Sequence, residues 1–73
     1  MTRETQKMKV LAYMKEHGSI TPLEALDEFG CYRLGARIWD LRHAGYSIKT
    51  TNERYLDMTD LSWKTYARYA LVE

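Results

Sequence analysis

The tetrapeptide Thr21-Pro22-Leu23-Glu24 constrains this chain most, because it is a strong signal for the start of a helix. Thr21 is suited to cap the free amides of the first turn, Pro22 costs nothing at the first helical position, and Glu24 completes a capping box. Gly30 marks the end of the same helix. These signals predict a short helix over about 22–29, whose core-facing residues are Leu23, Leu26 and Phe29.

A longer helix is predicted before this segment, over about 5–17. Its apolar residues recur at helical spacing and are Met8, Val10, Leu11 and Met14. The opposite side carries Lys7, Lys9, Lys15 and Glu16. Gly18 ends this helix, and Ser19-Ile20 forms a short extended link to the next one.

A third helix is predicted over about 31–44, because Leu34, Ile38 and Leu41 form a single apolar stripe. Gly45 ends this helix. The second and third helices are joined by a tight turn at Gly30, and the later helix carries arginines on its outer face. This is the arrangement of a helix-turn-helix.

The pattern changes to that of a β-hairpin after the third helix. Alternating and β-branched residues predict a strand over about 46–51, and aromatic and β-branched residues predict another over about 64–72. Asn52-Glu53-Arg54 is the expected tip, with Tyr55–Met58 extending a strand. A helix capped by Asp60 is the alternative for the last segment. The sequence thus predicts an α+β fold, with three helices and a carboxy-terminal hairpin in one domain over residues 1–73.

Basic residues are concentrated in one part of a chain whose net charge is only +1. Residues 33–54 carry five basic and two acidic residues, whereas residues 1–30 and 55–73 each carry one more acidic than basic residue. A local positive surface of this kind is expected where a protein faces phosphates. It falls on the third helix and the first part of the hairpin.

The composition argues against several other classes of protein. One cysteine, Cys31, permits no intramolecular disulfide and fits a reducing cytoplasm, and neither His17 nor His43 has a metal-ligand partner at the usual spacing. No stretch reaches the ~20 apolar residues of a membrane span, and no signal peptide or nucleophile motif is present. We therefore expect a cytoplasmic protein without a cofactor, a metal ion or enzymatic activity.

The outer face of the third helix is the expected site of DNA contact. With the apolar stripe turned inward, the residues that project to the opposite side are Arg33, Ala36, Arg37 and Asp40. Arg33 and Arg37 are suited to bidentate contacts with guanine O6 and N7, or to phosphate contacts. The alternative is a solvated helix face on which Arg37 and Asp40 form an i,i+3 ion pair.

Further contacts are expected around this helix. Tyr32 either donates to a phosphate or packs on Phe29, and Thr21 is either a cap alone or also a phosphate neighbour. The predicted hairpin carries the cations Lys49, Arg54 and Lys64. They either contact the minor groove and phosphates or keep a strand edge from aggregating. The tryptophans and tyrosines are assigned to the core, although an exposed Trp39 would indicate a protein interface.

Four runs of residues match the pattern of a known family: Gly18–Thr21, Glu24-Ala25, Phe29-Gly30 and Arg33–Ile48. They resemble the small winged helix-turn-helix domain often encoded by bacteriophages and prophages. The match is close over residues 7 to about 50, and Ala67–Leu71 resembles the last strand of that family. Two positions depart from the pattern: Gly35 stands where relatives usually carry alanine, and Trp39 is large for its place.

The resemblance implies a three-helix core, a two-stranded wing and DNA binding by the third helix. We therefore expect a phage or prophage transcriptional regulator that reads the major groove of double-stranded DNA with helix 31–44. The alternative is a protein-interaction module on the same fold that binds or inhibits a host protein. The sequence leaves open whether the chain forms a homodimer.

Overall fold

Three helices precede a long antiparallel hairpin in the chain. A computed structural model describes residues 2–72, without the side chain of Arg3. The elements are α1 (Arg3–His17), β1 (Ser19–Ile20), α2 (Pro22–Phe29), α3 (Leu34–His43), β2 (Ile48–Asp57) and β3 (Ser62–Leu71). The strands form one antiparallel sheet in the order β1-β3-β2. The predicted α+β fold with a carboxy-terminal hairpin is therefore confirmed.

The first two helices begin where side chains cap their free amides. Thr2 Oγ1 accepts a hydrogen bond from Thr5 N at 3.2 Å, so α1 begins at Arg3, slightly before the predicted start. Thr21 Oγ1 accepts from Glu24 N at 3.3 Å, and Glu24 Oε1 accepts from Thr21 N at 2.9 Å. These two bonds are the capping box that the sequence predicts for α2.

The inward face of α2 differs from the predicted one. Leu23 is 75% exposed and Leu26 is also exposed, so the expectation that both face the core is wrong. The cap residue Thr21 is itself buried, as is Ala25, and Phe29 packs against the core. These three residues follow one another at intervals of four, which places Leu23 and Leu26 on the other sides of the helix.

The side chains that α1 buries also differ from those that its sequence predicts. Val10, Leu11 and Met14 are buried as expected, whereas Met8 is exposed. Lys7 was expected on the polar side, but its side chain is largely covered and its Nζ lies 2.9 Å from Glu4 Oε1. The apolar stripe of α1 is therefore narrower than the sequence predicts.

Helix α3 begins at Leu34, later than predicted, because the residues before it belong to the turn. Gly30 adopts a left-handed conformation with φ 64°, and Cys31 N donates to Ala25 O at 3.2 Å, so Cys31 closes α2. Arg33, with φ −121° and ψ 59°, is the last residue before the helix. Cys31 places its side chain in the core, which anchors this turn.

The hairpin is longer than predicted, and its tip lies elsewhere. Asn52–Arg54 pair with Thr65–Ala67 inside the sheet, so their assignment to the tip is wrong. The turn instead follows Asp57: Leu61 N donates to Asp57 O at 2.8 Å, and Asp57 Oδ1 accepts from Thr59 N at 2.9 Å. The last segment is the predicted strand, and the alternative helix capped by Asp60 is wrong.

The core lies between the three helices and the base of the hairpin. Within residues 2–72, its buried apolar members are Val10, Leu11, Met14, Ile20, Ala25, Cys31, Leu34, Ile38, Leu41 and Ile48. All three residues of the predicted α3 stripe belong to this group. The stripe therefore fixes the rotation of α3 about its own axis.

Substitution of two leucines tests this distribution of burial. Leu41→Ala should lower the free energy of unfolding by about 2–5 kcal/mol, because it opens a cavity at a fully buried position. Leu23→Ala, the matched control at an exposed position of α2, should change it by less than about 0.5 kcal/mol. Urea unfolding followed by circular dichroism measures both, and equal losses would contradict the described packing.

Candidate nucleic-acid interface

The hairpin has two faces that meet different helices. Side chains alternate along a strand, and the register of β2 with β3 sorts them into two sets. The face that meets α3 is called the helix face. It consists of Ile48, Thr50, Asn52, Arg54 and Leu56 on β2, with Trp63, Thr65, Ala67, Tyr69 and Leu71 on β3. The back face consists of Lys49, Thr51, Glu53, Tyr55 and Asp57, with Ser62, Lys64, Tyr66, Arg68 and Ala70.

Helix α3 contacts the base of the hairpin near both of its ends. A Cβ atom at Gly35 would lie 4.0 Å from Tyr69 Oη, so the start of α3 approaches β3. Near its end, Arg42 Nη2 donates to Ile48 O at 2.8 Å and to Thr50 Oγ1 at 2.9 Å on β2. These contacts hold the hairpin against α3. This role of Arg42 could not be predicted from the helical pattern, because its partners lie on a separate element.

The amino end of α3 is open to solvent and positively charged. Tyr32 is 86% exposed, so the alternative in which it packs on Phe29 is wrong. Arg33 is also exposed, and no acidic residue occurs in the first turn, Leu34–Arg37. The free amides of a helix amino end carry partial positive charge, to which the guanidinium of Arg33 adds. This end is suited to an anionic ligand.

Arg37 lies between α3 and α1 instead of on the outer face. Its Nε atom lies 3.0 Å from Asp40 Oδ2, and its Nη1 donates to Gln6 Oε1 at 3.4 Å. The pairing of Nε with the carboxylate is ionic, without the alignment of a hydrogen bond. The side chains of Arg37 and Asp40 are only 13% and 7% exposed. The expectation that both project away from the protein is therefore wrong, and the i,i+3 ion pair is the arrangement that forms.

The outward face of α3 is formed by Ala36, Trp39 and His43. Trp39 is 56% exposed, so its assignment to the core is wrong, as is that of Trp63 on the hairpin, which is 61% exposed. Its ring stacks on that of His43, with 3.6 Å between centroids and 26° between planes, and His43 Nδ1 lies 2.9 Å from Trp39 O. An i,i+4 pair of aromatic residues was the available sequence signal. The pair gives α3 a flat aromatic surface towards solvent.

The hairpin cations are divided between the two faces. Arg54 lies on the helix face, with its guanidinium 5.1 Å from the centre of the Trp63 ring. Lys49 is exposed on the back face near the base. Lys64 is also on the back face, and its Nζ lies 2.7 Å from Asp57 Oδ2 and 3.4 Å from Asp60 Oδ2. Of these cations, Arg54 shares the face on which α3 packs.

Acidic partners neutralise Lys64 and Arg68 on the back face. The Lys64 ammonium, together with Thr59, holds the pKa of Asp57 below its ordinary value. Hydrogen bonds from Tyr66 and Arg68 likewise lower the pKa of Glu53. Arg68 Nε lies 2.9 Å from Glu53 Oε1, so both charges are engaged within the protein. Apart from Lys49, the back face therefore presents little positive charge to a phosphate.

The back face and α2 enclose an open groove of about 700 Å³. Leu23 and Leu26 line one wall, and Tyr55, Tyr66 and Arg68 line the other. Arg68 also donates from Nη1 to Ser19 Oγ at 3.0 Å, which ties β3 to β1. This groove could not be predicted from the sequence, because it depends on the unexpected exposure of Leu23 and Leu26 on α2.

Thr21 caps the amino end of α2. Its hydroxyl caps Glu24 N, and its side chain is buried, so capping alone accounts for its presence. Among residues 2–72, the structure contains no group of three or more His, Cys, Asp and Glu residues placed to hold a metal ion. None of the helices in that range is long and apolar enough to cross a membrane.

Comparison with known proteins agrees with this architecture. No curated protein and no solved structure matches the chain at a significant level. A protein-family model described as "winged helix-turn-helix domain" matches residues 5–73, which include α2, α3 and the whole hairpin. The helix-turn-helix is thus α2 with α3, and the wing is the β2–β3 hairpin. The chain belongs to the winged helix-turn-helix domain family.

Proposed function

We propose that this protein binds double-stranded DNA, with α3 in the major groove and the wing against the adjacent backbone. The observation that carries the proposal is the contact of α3, near both of its ends, with the base of the wing. Tyr32 and Arg33 are exposed at the start of α3, and Arg54 is exposed on the helix face of the wing. A major groove about 12 Å wide admits one helix, and the wing extends past it.

The wing is long enough to follow the DNA beyond the groove. From Asn52 to Asp57 it contains six residues per strand past the contact between Arg42 and Thr50. At about 3.3 Å per residue this part spans roughly 20 Å. Arg54 lies within it, on the helix face. The positive charge available for phosphates is modest, because Arg37, Lys64 and Arg68 each form an ion pair with a carboxylate of the same chain.

The proposed biological role follows the family resemblance. We propose that the protein is a transcriptional regulator of phage or prophage origin, acting on DNA in the cytoplasm of a bacterial host. A homodimer would recognise two half-sites related by a two-fold axis. Sedimentation velocity with and without duplex DNA distinguishes a monomer from a dimer.

The salt dependence of binding tests the proposed surface. With two or three phosphate contacts per monomer, log affinity should fall against log salt with a slope of about −2 to −3. Arg33→Ala and Arg54→Ala should each weaken binding to random duplex DNA and make the slope shallower by about 0.9. Fluorescence anisotropy with a labelled duplex measures affinity at several salt concentrations.

Lys49→Ala is the matched control for Arg54→Ala. Both residues are exposed cations on β2, but they lie on opposite faces of the wing. Lys49→Ala should therefore leave both affinity and slope close to those of the unaltered protein. Equal effects of the two substitutions would show that the helix face has no special role. Absence of binding at low salt would contradict the proposed function as a whole.

Arg37→Ala should separate a structural arginine from a binding one. Loss of the contacts with Asp40 and Gln6 should lower the free energy of unfolding by about 1–3 kcal/mol, because a largely covered carboxylate loses its partner. The slope against salt should stay unchanged under conditions in which the variant is folded. A shallower slope without loss of stability would place Arg37 at the DNA after all.

A second candidate function is protein binding, which the groove beside α2 and the exposure of Trp39 both favour. Leu23, Leu26 and Tyr55 are exposed apolar residues around one concave surface, and such patches are common at protein interfaces. Under this alternative the protein would bind or inhibit a host protein through the back of the wing. Loss of partner capture in Leu23→Ser, with DNA affinity unchanged, would identify that surface.

A further inference from the structure

The middle of α3 presents an apolar surface where a DNA-reading helix often carries amides or guanidinium groups. Within Leu34–His43, all of which the structure describes, Arg37 is paired with Asp40, and Arg42 is bonded to β2. This helix also contains no asparagine or glutamine. The side chains left to face a groove from its middle are those of Ala36 and Trp39.

Trp39 is held in a defined position although it is exposed. The stack on His43 covers part of one side of the ring, and the contact between His43 Nδ1 and Trp39 O fixes the histidine. The indole therefore loses little additional freedom when it meets a ligand. Ala36, one turn before it, is small and leaves room beside the ring.

We infer that Trp39 contacts the methyl groups of thymine in the major groove. This inference rests on the proposed function, since it assumes that α3 enters the groove. The thymine methyl is the apolar group that the bases present there, and the other major-groove groups are hydrogen-bond donors and acceptors. The apolar faces of the indole, next to Ala36, match that methyl. Its one polar group, the Nε1–H donor, can meet an acceptor on either base pair and so does not favour guanine. The protein therefore prefers DNA sites that contain thymine under the middle of α3.

Removal and addition of the methyl group test the inference without knowledge of the target sequence. The probes are alternating dA-dT and dA-dU duplexes, with alternating dG-dC duplexes whose cytosines are unmodified or methylated at carbon 5. The unaltered protein should bind the methyl-bearing member of each pair more tightly. The expected ratio is roughly four-fold for each methyl group removed from water.

Two variants connect the ratio to the residue. Trp39→Ala should bring the ratio of dA-dT to dA-dU affinity close to one. Trp39→Gln, which replaces the apolar ring with a polar side chain, should do the same and is the second variant if Trp39→Ala binds too weakly. Tyr55→Ala, which removes an exposed aromatic residue from the back face, should leave the ratio as it is in the unaltered protein. Thermal unfolding shows that each variant is folded.

The outcomes separate failure of the inference from failure of the proposed function. Equal binding of dA-dT and dA-dU by the unaltered protein would overturn the inference while leaving DNA binding intact. A ratio that persists in both Trp39→Ala and Trp39→Gln would also overturn it, because the methyl would then meet another group. No binding to any of the four duplexes at low salt would overturn the proposed function, and Trp39 would then face a protein partner.

Discussion

Burial of Leu34, Ile38 and Leu41 determines which side chains α3 presents to its surroundings. Because this stripe faces the core, Arg37 is turned towards α1 and Arg42 towards β2, where each finds a partner. The outward direction is left to Ala36, Trp39 and His43. The position of the wing depends on the same rotation, since the contact of Arg42 with β2 exists only when α3 is turned in this way.

Local signals explain the parts of the fold that were predicted correctly. The capping box of Thr21 and Glu24 involves residues three apart, so the sequence alone specifies it. The wing turn has a weaker local signal in Asp57 and Asp60: it contains no glycine, and Leu61 occupies a left-handed conformation with φ 57°. Its register depends on ten pairs between β2 and β3, which outweigh the turn preference of Asn52.

The candidate site was less predictable than the fold. A helical pattern shows which side of α3 is apolar, but it cannot show that Gln6 of α1 approaches Arg37 from the flank. Likewise, Lys49 and Arg54 are similar cations in sequence, and only the strand register places them on opposite faces. Arg33, Tyr32 and Arg54 kept their predicted exposure because they lie at an element's end or on an open strand face. Their role in DNA binding remains a prediction.

We propose that α3 and the helix face of the wing form one DNA-binding surface, separate from the groove beside α2. Amide chemical shifts of the labelled protein, followed by nuclear magnetic resonance during titration with a short duplex, test it most directly. The account predicts changes at Tyr32–Ala36, at Trp39, and at Arg54 and its cross-strand partner Thr65. Changes centred on Leu23–Leu26 and Tyr66, with α3 unaffected, would contradict it.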